Sequence, residues 1–349
     1  KENDRLKRHN DFRFRQRNMD GINGVTLAEP AYKIQSHVFS LAICQDLYMP
    51  RRRITFRQLE TFMAVARSGN FTRAAEALHL TQPAVSIQLR QMADTIGLPL
   101  FEQNGRDMVL TAAGQEMALT ARNLDDVWNR FESAIHELKG LKRGKLRVAL
   151  VTTAKYFLPR MLGVFCQRYP DIDIELEIAN REKIVERLRG NEDDLYVMSY
   201  PPESMDIEVH PFLDNEYVVI APKSHWGVGK RLSLQKLAAE PFLLREPGSG
   251  SRHAVDRHMQ ENGVQLKVRL SLASNEAIRD LVACGMGLAI LSRHALGADF
   301  ERQGLAELKV SGFPLKQPWS VVRLRSKPLS LPAQAFLDEL LHTDSRLRG

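Results

Sequence analysis

Nowhere in the 349 residues does an apolar run approach the roughly 20 residues that carry a helix across a bilayer, so no membrane partner is expected. Cysteine is scarce. The three present (Cys44, Cys166 and Cys284) are odd in number, far apart and without metal-ligand spacing. That argues against a disulfide framework and a thiolate metal site, and fits a reducing cytoplasm. The histidines are scattered, and His253 with His258 misses the i, i+4 spacing of a helical metal pair. No nucleophile elbow follows a strand: Gly248-Ser-Gly-Ser251 is superficially similar but sits in a turn. Cys284, in Val282-Ala-Cys-Gly-Met-Gly287, has no neighbouring cation to activate it, and Asp193-Asp194 reads as a solvated turn. No metal, cofactor or enzymatic activity is expected. Lys1 to Arg17 is polar and basic with no apolar stretch behind it, which argues against a secretory signal.

What is present is an ordinary globular composition, 44% hydrophobic and 26% charged, in a chain too long for one core. The net charge of +7 suits a polyanionic partner. Between Arg51 and Thr111 there are eight arginines against five acidic residues, so that segment is itself positive. Residues 1–48 carry little pattern and read as an extension or disordered tail, with Met49 near a natural start.

The most informative stretch is Phe71-Thr-Arg-Ala-Ala-Glu-Ala-Leu-His-Leu-Thr-Gln-Pro-Ala-Val-Ser86. It predicts two short helices joined by a tight turn. Ala74, Ala75 and Leu78 share a face where small side chains let another helix cross closely. Thr81 stands at an N-cap position and Pro83 suits the first turn, where a missing N–H costs little. Val85 and Leu89 give the second helix an apolar side, leaving Gln82, Ser86 and Arg90 to face outward. A helix presenting such residues from its N-terminal end is what a helix-turn-helix inserts into the DNA major groove. The predicted DNA-contacting set is Arg73, Thr81, Gln82, Pro83, Ser86, Arg90 and Arg106.

A helix over Ile54–Ala66, with Leu59, Phe62, Met63 and Ala66 inward, should precede this pair and end at Gly69. Two extended pieces around Gln103-Asn-Gly-Arg106 follow, with Asn104-Gly105 as the hairpin signal, making a winged module over 49–112. A long helix then runs from Thr111 to about Leu138. In it Met117, Ala121, Leu124, Trp128, Phe131, Ile135 and Leu138 are spaced 4, 3, 4, 3, 4, 3, a heptad seam that predicts pairing with a second copy. Packing of this linker helix (113–140) on its own domain is the alternative.

After Gly144 strands alternate with helices, which argues for open α/β sheets with crossover helices in two lobes over 145–345. The expected strands are Lys145–Val151, Ile172–Ile178, Leu195–Met198, Glu216–Ala221, Phe242–Arg245, Lys267–Leu272, Gly287–Leu291 and Ser320–Arg325. Lobe I is placed at 145–208 with 312–345, and lobe II at 209–311. Ligands of such sheets bind where strands end and helices begin. Three turns qualify: Val151-Thr-Thr-Ala-Lys155, Arg245-Glu-Pro-Gly-Ser-Gly-Ser-Arg252 and Ala273-Ser-Asn-Glu276. Helix starts rich in free N–H groups favour carboxylate or phosphate. The expected effector set is Thr152, Thr153, Ser249, Ser251 and Asn275, with Lys155 and Arg252 supplying positive charge. Simple helix capping is the alternative.

Together these motifs resemble the LysR-type transcriptional regulators over Phe56 to Leu341. The residues that carry the resemblance are Phe56-Arg-Gln-Leu-Glu-Thr-Phe62, Phe71-Thr-Arg-Ala-Ala75, Gln82-Pro-Ala-Val-Ser86, Leu100-Phe101, Leu110-Thr-Ala-Ala-Gly114, Gly248-Ser-Gly-Ser-Arg252 and Val282-Ala-Cys-Gly-Met-Gly287. The resemblance implies a winged helix-turn-helix, a dimerising linker helix and a two-lobed effector domain like a periplasmic binding protein. It also implies assembly as a dimer or tetramer and a small metabolite between the lobes. Two positions depart from the family pattern: Met92-Ala93 replaces the usual Leu-Glu, and Gln103 the usual Arg. With Thr152-Thr-Ala-Lys-Tyr-Phe-Leu-Pro159 and Asn191-Glu-Asp-Asp-Leu-Tyr-Val-Met198, these choices resemble the branch that regulates Calvin-cycle operons. That branch implies a phosphorylated metabolite or NADPH as effector. A LysR-type regulator of nitrogen, sulfur or aromatic metabolism is the nearest alternative, and a solute-binding α/β protein a more distant one.

Overall fold

The computed structural model describes residues 54–105, 107–138 and 143–342. The segment 1–48, the wing residue Arg106 and the expected end of the linker helix at 139–140 lie outside the described residues.

Three helices open the fold: α1 (Phe56–Ser68), α2 (Phe71–Ala77) and α3 (Gln82–Ile96). Each start is fixed by a side chain that satisfies orphan N–H groups. Thr55 and Gln58 form a capping box on α1, Asn70 accepts from Thr72 and Arg73, and Thr81 accepts from Ala84. The α1 residues that bury fully are Thr61, Phe62, Ala64 and Val65, while Leu59, Met63 and Ala66 are only partly covered. The expected inward face is thus rotated, because α1 is covered by α2 and α3 on one side and by the linker helix on another. Strands β1 (Phe101–Asn104) and β2 (Asp107–Leu110) pair antiparallel, with Asn104 opposite Asp107. The turn therefore begins at Gly105, one residue later than the Asn-Gly signal suggests.

Helix α4 (Ala112–Leu138) is 27 residues long, roughly 40 Å at 1.5 Å per residue. Its first turns seal the helix-turn-helix core: Ala118 is buried with Phe62, Val65, Val85, Leu89 and Met92. Gly114 is needed there, since a Cβ would stand 2.0 Å from the Leu100 carbonyl oxygen.

Lobe I begins with β3 (Gly144–Val151), α5 (Leu158–Arg168), β4 (Ile172–Ala179), α6 (Arg181–Arg189), β5 (Leu195–Met198) and β6 (Ile207–Leu213). Lobe II follows with β7 (Glu216–Pro222), β8 (Arg231–Leu232), α7 (Leu234–Ala238), β9 (Pro241–Arg245), α8 (Gly250–Glu261), β10 (Lys267–Leu272), α9 (Asn275–Ala283), β11 (Leu288–Ser292), β12 (Leu305–Val310) and β13 (Leu315–Lys316). The chain returns to lobe I as β14 (Trp319–Leu324) and α10 (Leu331–His342). The sheet orders are β4-β3-β5-β14-β6 and β10-β9-β11-β7-β12-β8, with β13 beside β7. Each lobe has its own core, around Trp319, Tyr196, Phe165 and Phe336 in one and Tyr217, Phe242 and Val219 in the other.

The chain crosses between lobes at 214–215 and 317–318, not near 208 and 312 as expected from the sequence. The displaced strand is β6, an edge strand that pairs with β14 of lobe I. Its sequence hides it, since Pro211 and the polar residues Glu208 and His210 are tolerated at an edge but blur a strand pattern. Strand β12 is likewise absent from the expected set, its buried Leu305, Leu308 and Val310 not alternating strictly. The sheets are also mixed. Strands β3, β4 and β5 are parallel, but β14 and β7, arriving from the other lobe without a helical crossover, run antiparallel to their neighbours.

Candidate nucleic-acid interface and effector cleft

The candidate DNA-facing surface is the start of α3. Its apolar side, Val85, Leu89 and Met92, is buried, and the opposite side is free. Gln82, Pro83 and Arg90 are exposed and Ser86 half-buried, and among the described residues none of these side chains is held by another protein group. Arg73 is exposed on the first turn of α2. Thr81 is exposed, but its hydroxyl accepts the Ala84 N–H at 3.4 Å, so its first task is capping. Ile87, absent from the set expected from the sequence, is 57% exposed on this face. An isoleucine there offers an apolar contact for a thymine methyl.

The heptad residues of α4 divide. Met117 packs against the helix-turn-helix core and Ala121 is buried, so neither is free to pair. From Leu124 onward the seam faces outward: Trp128 is 49% and Phe131 53% exposed, Leu138 is exposed, and Ile135 is partly covered. Val127 and Phe56 widen the stripe, with Phe56 and Trp128 rings 5.9 Å apart and Trp128 and Phe131 rings 5.5 Å apart. The other side of the same helix is polar and buried. Asp126 and Ser133 are covered by lobe I, where Asp126 meets Arg147 and Lys327.

Between the lobes lies a narrow cleft. Lobe I lines it with Val151, Thr152, Thr153, Asn180, Arg181, Ser199 and Trp319, all just beyond or at strand ends. Lobe II contributes Tyr217, Arg245 and the start of α8, Ser249 to Ser251. Thr153 and Ser251 bring their hydroxyl oxygens to 3.5 Å across the cleft, and the Ser199 and Tyr217 hydroxyls are 3.0 Å apart. The lobes also touch directly, where the Glu182 N–H donates to the Gly248 carbonyl at 3.1 Å. At the hinge, Ser292 donates to the Asn215 side chain at 2.6 Å and Gln317 donates to the Ser199 carbonyl at 2.6 Å.

The electrostatics favour an anion. Arg245 is 2% exposed, and its charge is matched by Glu246, whose carboxylate accepts at 2.8 and 3.0 Å. Its remaining arm donates to Asn275 Oδ1 at 2.8 Å. Arg181 has no carboxylate partner among the described residues; its Nε donates to the Tyr200 carbonyl at 2.8 Å. Burial, and then the nearby Arg189, lower its affinity for its proton, as expected of a cation lacking a counter-charge. Burial pushes the Tyr217 phenol up, so it stays a neutral donor or acceptor.

Of the expected effector residues, Thr152, Thr153, Ser249 and Ser251 are brought together in this cleft, although the Thr152 hydroxyl is committed to the Ala179 carbonyl at 3.0 Å. Ser249 caps α8. Lys155, Arg252 and Asn275 do not line it. Lys155 pairs with Glu276 at 3.1 Å, Arg252 turns away to Asp256 at 2.8 Å, and Asn275 stands behind Arg245. The cations that do reach the cleft are Arg181 and Arg245. Arg245 opens one of the turns singled out in the sequence but is not among the expected effector residues, and Arg181 follows a strand whose end is not singled out.

The sequence matches the bacterial regulatory helix-turn-helix protein, lysR family, over residues 56–115 and the LysR substrate binding domain over residues 139–345. The chain belongs to the LysR family. As a LysR-type protein it is a transcription regulator, not an enzyme, that binds operator DNA through its first domain and a small molecule through its second. Among its relatives is the HTH-type transcriptional activator CmpR of Synechocystis sp., 46% identical, the match covering 84% of this chain and 97% of that protein. The RuBisCO operon transcriptional regulator of Allochromatium vinosum is 42% identical, covering 84% and 98%. The Synechocystis PCC6803 CcmR regulatory domain in complex with 2-PG is 46% identical with a TM-score of 0.55, covering 56% of this chain and 95% of that one. A full-length OxyR variant from Pseudomonas aeruginosa, at 21% identity and a TM-score of 0.65 over 83% of this chain and 98% of its own, shares the LysR-type fold. No helix among the described residues is long and apolar enough to cross a membrane.

Proposed function

We propose that this LysR-type regulator acts on cytoplasmic DNA to control carbon-assimilation genes, in response to a compact phosphorylated acid held between its lobes. The cleft is the observation that carries the effector reading. Its walls stand close together, the Thr153 and Ser251 hydroxyls being 3.5 Å apart, which suits a compact ligand over an extended one. The start of α8, the Thr153, Ser199 and Ser251 hydroxyls and the unpaired Arg181 suit a phosphate or carboxylate. Similarity to RuBisCO operon regulators and to a regulatory domain that holds 2-PG supports the pathway and the ligand class. The matching candidate is 2-phosphoglycolate. Ribulose bisphosphate, phosphoenolpyruvate and NADPH are the comparison ligands.

Calorimetric titration tests this. Wild type is expected to bind 2-phosphoglycolate, and Thr153→Val to bind it about 10-fold more weakly, about 1.4 kcal/mol, while still melting cooperatively. If the hydroxyl served only local structure, the change would cost about 1 kcal/mol of stability and leave binding intact. Absence of heat from all four ligands would redirect the assignment to another LysR-type pathway.

The outward stripe of α4 supports self-association, with the partner's α4 as its cover. Exposed aromatic and aliphatic side chains at heptad spacing are what a second copy buries. Leu124→Asp with Phe131→Asp is expected to sediment as smaller species and to lose binding to paired half-sites before single ones. Unchanged mass in sedimentation equilibrium would refute the pairing.

A further inference from the structure

On the outer side of the two lobes, next to the cleft, a second and larger concavity opens between helices α6 and α8, an open groove of about 1220 Å³. From α6 it takes Arg181, Val185 and Arg189, spaced four apart and so on one face. From α8 it takes His253, Asp256, Arg257 and Gln260, again one helical face, and Pro201-Pro202 close the floor. Of its residues only Arg181 belongs to the small cleft.

The charges in the groove are unbalanced. Its two acids are already engaged, Asp256 with Arg252 at 2.8 Å and Glu203 with Arg257 at 3.5 Å, and Arg257 also pairs with Glu261 at 3.0 Å. Arg181 and Arg189 have no carboxylate partner among the described residues and are close enough to act on each other's charge. His253 has its affinity for a proton lowered by burial, then by Arg181 and Arg257, and so stays neutral as a hydrogen-bonding group. Two like charges on one wall with no carboxylate partner favour an anion between them, and the exposed pairs of Arg257 opposite, with Glu203 and Glu261, are of the surface kind that exchanges at little cost.

We propose that the groove between α6 and α8 is a second effector site, taking a pyrophosphate-bearing metabolite whose phosphates join Arg181 and Arg189 of lobe I to Arg257 of lobe II. A pair of phosphates matches a set of arginines spread along a helix better than a single compact oxyanion does. Because the two walls belong to different lobes, such a ligand ties the lobes together from the outside. It shares Arg181 with the cleft, so the two ligands affect each other's affinity.

The test is calorimetric titration of the full chain with inorganic pyrophosphate at fixed ionic strength, on wild type and on Arg189→Ala and Arg257→Ala. Arg189 and Arg257 are exposed and neither lines the small cleft, so the variants are expected to keep 2-phosphoglycolate affinity within twofold. Pyrophosphate affinity is expected to fall at least 10-fold in each. No binding by wild type at millimolar pyrophosphate, or equal affinity in the variants, overturns the second site. Pyrophosphate binding lost in Thr153→Val but kept in Arg189→Ala would place it in the cleft and equally overturn it. Pyrophosphate binding that falls in Arg189→Ala and Arg257→Ala, in a wild type that does not take 2-phosphoglycolate, upholds this site while refuting the cleft ligand, so the two failures are distinct.

Discussion

Asp126→Ala is expected to destabilise the chain by about 3–5 kcal/mol, the cost of leaving buried cations without their counter-charge. Asp126 stands on α4 yet is only 7% exposed, because it plugs into lobe I. It pairs with Arg147, its Oδ2 lies 3.1 Å from Lys327 Nζ, and it accepts from Asn191 at 2.9 Å. Asp194 completes the cluster, 3.3 Å from Arg147 and 2.9 Å from Lys327. Two cations face two buried carboxylates, with exposed Asp125 also 3.3 Å from Arg147, so removing Asp126 leaves buried Lys327 and Arg147 sharing one buried carboxylate. Denaturant unfolding followed by tryptophan fluorescence measures the loss. Asp126→Leu with Lys327→Met, which removes a whole pair, should cost less than Asp126→Ala alone; equal or greater cost would refute the charge account. The cluster also predicts acid lability. Burial tends to raise the Asp194 pKa, but Lys327 and Arg147 outweigh it and hold the carboxyl below the usual range. Its stabilising share is therefore present above about pH 4, the unfolded value, and lost as pH falls through the lower native value. The cluster has a functional consequence too. Helix α6 begins at the cleft with Arg181 and leads directly to Asn191, which holds Asp126 and Asn123 of α4. A single short helix thus joins the effector cleft to the helix that carries the DNA-binding module.

Gln82→Ala and Ser86→Ala are expected to weaken specific operator binding by about 1–3 kcal/mol each, and together by up to about 6 if they act independently. Neither side chain supports the fold, so thermal stability should be unchanged. Affinity for unrelated DNA should fall far less, because phosphate contacts from the surrounding arginines supply most of it. Competition binding between operator and random duplex separates the two terms. Equal specific affinity for wild type and the double variant would remove α3 from the base-reading role.

Residues close in sequence determined the DNA-binding half. Thr55 with Gln58, Asn70, Thr81 and Pro83 specify where helices start through bonds only two or three residues long, and such bonds survive any tertiary context. The 4-3 spacing of apolar residues and the alternation of strands and helices are equally local, and they marked α4 and the α/β class from the sequence. Chain-distant partners decided the rest. Lys155 and Arg252 read as effector cations, but Glu276 and Asp256 take them, while Arg181, unremarkable in sequence, is left unpaired at the mouth of the cleft. Asp126 lies between the heptad positions of α4 and is buried against Lys327, some 200 residues away in the chain. Membership of β6 in lobe I depends on β14, which arrives only after the chain has built lobe II. A charge has no local signature of its partner: whether it is free, paired or buried depends on Coulomb and desolvation terms set by whatever the fold brings within a few ångströms. The sequence therefore determined most of the elements and the family, and only the tertiary structure decided which charges remain free to bind a ligand.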